Sequence, residues 1–191
     1  MGSPLNVKKN NYIKNPKKSD IETPLGICKF LADTITEKYF IQSILDPTSG
    51  NHNLTKYFPN IQVLESEIKK DRNFLNCISK VSVDLVLCNP PFNQGAGKKL
   101  MPQVFLEKIL EVAGKTTPIV LFSPMGFRLN QRVRSKRWKK ARVDYPEITS
   151  IVSLPLDVFP NVAFHNEILF FNMPFLKPHY WLEDKYLERV I

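Results

Sequence analysis

VSVDLVLC, residues 81–88, runs without a break into NPPF, Asn89 to Phe92. Eight positions mixing β-branched residues with leucine, stopped by a proline pair, are the pattern of a strand buried on both faces, as in a parallel sheet. Upstream, FIQSIL (residues 40–45) reads as another buried strand that breaks into the polar loop Asp46, Pro47, Thr48, Ser49, Gly50, with a helix beginning near Asn53. A second strand is expected at Ile61 to Leu64, closing on Glu65. Further upstream, ETPLGICKFLADTITEKY places Pro24 at the start of an apolar periodicity, which predicts a helix over about 24–39.

Downstream, NQGAGKK reads as a loop. LMPQVFLEKILEVAG reads as an amphipathic helix with Val104, Leu106, Ile109, Leu110 and Val112 on its apolar side and Gly114 as its stop. TPIVLFSP, ITSIVSLP and NEILFFNMP supply three further strands. Strands alternating with helices for most of the length predict a doubly wound α/β sheet, with ligands at the carboxyl ends of the strands. At 191 residues the chain fits one domain. Residues 1–20 are expected as a flexible basic arm, 21–176 as the domain, and 177–191 as a C-terminal tail.

An apolar share of 43% and a charged share of 24% belong to a folded globular chain, not to a disordered or fibrous one. The N-terminus has no apolar run resembling a signal peptide, and no stretch approaches the length of a membrane span, so an intracellular, cytoplasmic location is expected. Cys28, Cys77 and Cys88 are odd in number and lack metal-ligand spacing, so no zinc site or disulfide framework is suggested and no metal is expected. The net charge is +9 and the pI about 9.5, a balance that attracts polyanions. Most of that excess lies in RLNQRVRSKRWKKARV, residues 128–143, where Arg128, Arg132, Arg134, Lys136, Arg137, Lys139, Lys140 and Arg142 occur without one acidic residue. Such a run can be a solvated face or a phosphate contact, and the absence of any acid favours the latter, with Arg128, Arg132, Arg134, Arg137 and Lys140 as candidates. Lys8, Lys9, Lys14, Lys17 and Lys18 form a looser N-terminal cluster.

Two clusters carry chemistry. In NPPF, the Asn89 side-chain oxygen and the Pro90 carbonyl are acceptors, Pro90 and Pro91 stiffen the backbone that holds them, and Phe92 offers a stacking face worth about 1 to 3 kcal/mol to a planar base. Acceptors of this kind would draw an aromatic amine toward a tetrahedral nitrogen and free its lone pair for attack. The other reading is a rigid turn that merely ends a strand. In the loop after Asp46, Gly50 allows close backbone approach, and Glu65 at the next strand end is placed to accept from the two hydroxyls of a ribose.

The sequence resembles the adenine-amino DNA methyltransferases of restriction-modification systems and phages over about residues 21–174. The motif order is that of the gamma-like subgroup. This resemblance implies a Rossmann-like class I fold and S-adenosylmethionine as methyl donor. It implies that Thr23 and Pro24 line the methionine end of the cofactor, that Asp46, Pro47, Thr48 and Gly50 form the cofactor loop, and that Glu65 holds the ribose. It places Asn73 where the family has an aspartate that accepts from the cofactor's adenine amine, NPPF as the catalytic motif, and Phe159 or Phe164 as a second wall for a flipped base. Two departures stand out: His52 replaces the family's second loop glycine, and Asn73 replaces the aspartate. DNA is the implied partner, together with a recognition subunit or a second copy of the chain. The alternatives are methylation of RNA or of a protein glutamine, or a catalytically degenerate subunit that binds nucleic acid.

Overall fold

A computed structural model describes residues 22–66, 73–91, 100–159 and 165–187. The chain forms strands β1 (Ser43–Asp46), β2 (Gln62–Glu65), β3 (Leu85–Cys88), β4 (Ile119–Pro124), β5 (Ile148–Ser153), β6 (Asn166–Phe171) and β7 (His179–Trp181). Helices α1 (Leu25–Thr36), α2 (Met101–Ala113) and α3 (Lys136–Val143) lie among them. The strands make one sheet of order β2-β1-β3-β4-β6-β5-β7. β1, β2, β3 and β4 pair in parallel, β6 runs antiparallel between β4 and β5, and β7 adds to β5 in parallel. The expected α/β sheet is therefore present, with one reversed strand.

The apolar run that stops at Asn89 explains itself in the packing. Leu85 and Leu87 join Ile44, Val120, Phe122, Ile168 and α1 on one face, whereas Val86 and Cys88 join Leu45, Ile119, Leu121 and α2 on the other. Alternate residues thus reach opposite layers, and neither layer is water. Strand β3 is only the second half of the expected stretch. Asp84 is the reason: its carboxylate accepts from the backbone N–H of Gln42 (3.0 Å) and of Ser43 (2.8 Å), and from the Ser43 hydroxyl (2.9 Å). These donors hold the Asp84 carboxyl below its usual range. The side chain caps the start of β1, while the Asp84 backbone N–H donates to the Ser43 carbonyl at 3.1 Å, and regular pairing of β3 follows from Leu85.

Two more expectations change. The segment from Asn53 forms successive i→i+3 turns, Lys56 N–H to Asn53 C=O and Phe58 N–H to Thr55 C=O, in place of a regular helix. Its first side chain is diverted to Thr23, and Pro59 follows within two turns. The segment expected as a C-terminal tail is part of the domain: β7 extends the sheet, and Tyr186 is buried edge-on against Phe30 with its hydroxyl on Asp33 at 3.0 Å. Gly26 in α1 makes that approach close, since a Cβ there would stand 1.8 Å from the Tyr186 carbonyl oxygen. The N-terminal lysines, the loop at 93–99, Phe92 and Phe164 lie outside the described residues.

Candidate functional site

The carboxyl ends of β1, β2 and β3 bring together most of the residues picked from the sequence. Asp46, the last residue of β1, is fully buried, and its Oδ1 accepts from the Thr48 backbone N–H at 3.0 Å. That bond folds the loop back over the strand end as an Asx turn. Pro47 is buried beside it. Gly50 follows at φ 47, a left-handed backbone that glycine adopts without strain, and among the described residues an added Cβ would stand 3.8 Å from the Thr48 carbonyl oxygen. His52 takes φ 63. It therefore keeps the left-handed backbone that the expected glycine would supply, at a steric cost that a branched or bulky residue rarely bears.

Threonines tie Asn89 to this loop and to the start of α1. The Asn89 backbone N–H donates to Thr48 Oγ1 at 3.0 Å, and its side-chain Nδ2 donates to Thr23 Oγ1 at 2.8 Å. Thr23 is buried, and its carbonyl also accepts from Asn53 Nδ2 at 3.2 Å. With the amide nitrogen committed to Thr23, the Asn89 side chain presents Oδ1 as its acceptor. Pro24 precedes α1 as its N-cap, and Glu22 receives the side-chain amides of Asn51 and Asn53. Pro90 is buried and Pro91 half-buried. The family resemblance implies that Thr23 lines the cofactor; the structure has its hydroxyl on Asn89.

Glu65 stands at the end of β2, level with Asp46 in the parallel register. Its Oε2 lies 2.7 Å from His52 Nδ1. One carboxylate oxygen thus already faces an imidazole across the loop. Asn73, the other expected acceptor, turns its Oδ1 onto the backbone N–H of Leu75 at 3.0 Å and caps the short 3-10 turn Phe74–Asn76. Its oxygen holds local backbone. Phe159 is buried and packs edge-on against Phe122 at 6.2 Å, so it belongs to the core and does not stand as an exposed wall.

Electrostatics at this edge keep the thiols inert. Burial, with Asp46 nearby, pushes the Cys28 thiol up to about 12, and the same two causes raise Cys88. Neither can serve as a nucleophile at neutral pH. Among the described residues no three His, Cys, Asp or Glu side chains gather as metal ligands. A shallow cavity of about 470 Å³ lies at the opposite edge of the sheet, between Ile41, Asp84 and Pro118, away from all of these groups.

The basic segment leaves the same carboxyl edge from β4, and three of its five candidates turn inward. Arg128 pairs with the buried Glu167 of β6 at 3.0 Å. Burial pushes the Glu167 carboxyl upward, and Arg128 pulls it part of the way back. Arg137 donates to the Gly126 and Asn130 carbonyls at 3.4 and 3.2 Å, and its own desolvation lowers its pKa. Lys140 pairs with Glu107 of α2 at 2.7 Å, where Tyr145 also donates. Arg132 and Arg134 are exposed, as are Lys136, Lys139 and Arg142. None of α3 is buried, so these polar contacts are what seat it.

No protein-family model and no curated protein matches the sequence. Solved structures do. A protein of Vibrio vulnificus YJ016 assigned as a modification subunit of a type I restriction enzyme superposes with a TM-score of 0.62 at 15% identity, over 90% of this chain and 49% of its own. The type I restriction-modification system methyltransferase subunit from Streptococcus thermophilus gives 0.59 at 14%, over 94% and 55%. A Listeria monocytogenes protein assigned as a class I S-adenosylmethionine-dependent methyltransferase gives 0.56 at 18%, over 84% and 65%. The chain thus spans about half the length of the first two. At these identities the likeness establishes architecture: this chain has the Rossmann-like fold of class I S-adenosylmethionine-dependent methyltransferases.

Proposed function

We propose that the protein transfers the methyl group of S-adenosylmethionine to the exocyclic amine of adenine in DNA. The observation that carries this reading is the fixing of Asn89, by Thr23 through its side chain and by Thr48 through its backbone, beside the Asp46 loop. An amide whose nitrogen is already bonded offers its oxygen to an amine. Together with the Pro90 carbonyl it would pull the adenine nitrogen toward the geometry of attack, and no metal is required. The glycine turn at Gly50 and the carboxylate of Glu65 at the neighbouring strand end suit a nucleoside cofactor. The cofactor, when bound, supplies a methyl group already activated as a sulfonium. The protein orients, excludes water and accepts hydrogen bonds. Adenine inside a duplex is out of reach, so the base must leave the stack, and the exposed cations Arg132 and Arg134 would hold phosphate while it does.

One alternative has specific support. Glu65 is engaged by His52 and the Asn73 oxygen by the Leu75 backbone N–H, so two of the expected cofactor groups already have partners. That is what a degenerate, nucleic-acid-binding subunit would show. Calorimetric titration with S-adenosylmethionine separates the two: saturable 1:1 binding supports the enzyme, and no heat at millimolar cofactor supports the degenerate subunit.

A further inference from the structure

Trp181 is the more exposed of the chain's two indoles, at 73%, and it stands on a sheet, where a tryptophan ordinarily packs. Its neighbour Tyr180 points to the α1 side, 5.7 Å from Phe30. His179 and Trp181 therefore point to the other face. There His179 Nε2 lies 2.9 Å from Ser153 Oγ, and the imidazole meets the indole edge-on at 4.8 Å. Ser153 in turn pairs with Glu167 on β6, the residue that carries Arg128. A row runs across three strands on one face, from the buried Glu167 with its half-buried guanidinium partner through the Ser153 hydroxyl to the exposed imidazole and indole. It ends at the carboxyl edge, since Trp181 is level with Ser153, the last residue of β5.

We propose that this row is a second contact for DNA, with Trp181 as a stacking platform for an unpaired base that flanks the target. The inference rests on the reading of DNA as substrate. A lone ring among polar neighbours is too small an apolar patch for a protein partner. It suits a nucleotide, because a base needs one aromatic face and its phosphate needs nearby cations. Arg128 on this row is itself held by Glu167, but the basic segment runs on from it to the exposed Arg132 and Arg134; of the two acids that follow the indole, Glu183 is paired with Lys185 at 2.9 Å and Asp184 is exposed. Four strand spacings, roughly 19 Å, separate β7 from β3 and Asn89. That span suits a flanking nucleotide and not the base being modified.

Trp138→Phe leaves Trp181 as the single indole, so its fluorescence reports directly. Titration of that variant with a 12-nucleotide oligo(dT) at low salt should quench the emission saturably. Trp181→Ala should weaken oligo(dT) binding about tenfold, Trp181→Phe should retain most of it, and affinity for a fully paired duplex should change little. Equal oligo(dT) affinity in Trp181→Ala and the parent overturns the platform while leaving the proposed function standing. If the parent binds neither oligo(dT) nor duplex, DNA is not the substrate and both fall. Sedimentation of the parent alone tests the protein alternative: self-association abolished in Trp181→Ala, with oligo(dT) affinity unchanged, assigns the face to a second copy.

Discussion

Asn89 has two hydroxyl partners, and each makes a separate contribution that mutation can isolate. Thr23→Val keeps the shape of the side chain and removes the acceptor of the Asn89 amide nitrogen. Removing one such hydrogen bond should slow methyl transfer about tenfold with little change in cofactor KM, and Thr23→Ser should restore the rate. An equal rise in KM would return Thr23 to the role of cofactor ligand. Glu65→Ala should weaken cofactor binding by about 1 to 3 kcal/mol, read by titration. His52→Gly tests the same carboxylate from the other side. A glycine accepts the positive φ without strain and releases Glu65, so cofactor affinity should rise; a fall would make the imidazole part of the pocket. The positions of these residues were legible in the sequence, because Asp46 and Glu65 each end a strand and Asn89 follows one. Their partners were not. Thr23 and Asn89 are 66 positions apart, and only the parallel order of β1 and β3 against α1 brings them together.

At the scale of elements, the basic segment divides into cations that build and cations that face water. Replacing Arg132, Arg134, Lys136 and Lys139 by alanine should flatten the salt dependence of DNA binding by about 0.9 in log-log slope for each phosphate no longer neutralised, and leave thermal stability unchanged. An unchanged slope would make the segment an ordinary solvated surface. Arg128→Ala should act on the fold instead. It strands Glu167, whose side chain is 3% exposed, and should destabilise by roughly 2 to 3 kcal/mol, less than for a fully buried pair because the guanidinium is one-third exposed. The sign with pH follows from burial. A carboxyl raised in the folded state is protonated in both states at acid pH, so the penalty is small there and grows as pH rises through the unfolded value. The difference between variant and parent in urea unfolding should therefore be larger at pH 8 than at pH 4. A charge run alone could not reveal this division, since Glu107 and Glu167 lie on other elements.

For the whole molecule, the layer order was readable because strands buried on both faces leave uninterrupted apolar runs, as LVLC does. What escaped reading has local causes: the Asp84 carboxylate turns onto the start of β1, so regular pairing of β3 begins only after it, and a three-residue strand, HYW, carries too little pattern to be seen before it pairs with β5. The site at the carboxyl edge joins three strands, the start of α1 and two loops, so its function is a property of the assembled sheet. DNA free of adenine methylation, incubated with the protein and S-adenosylmethionine carrying a deuterated methyl group, can be digested to nucleosides and analysed by mass spectrometry. The parent should yield labelled N6-methyladenine and Asn89→Ala none. Absence of label from adenine, or equal labelling by Asn89→Ala, would contradict the assignment.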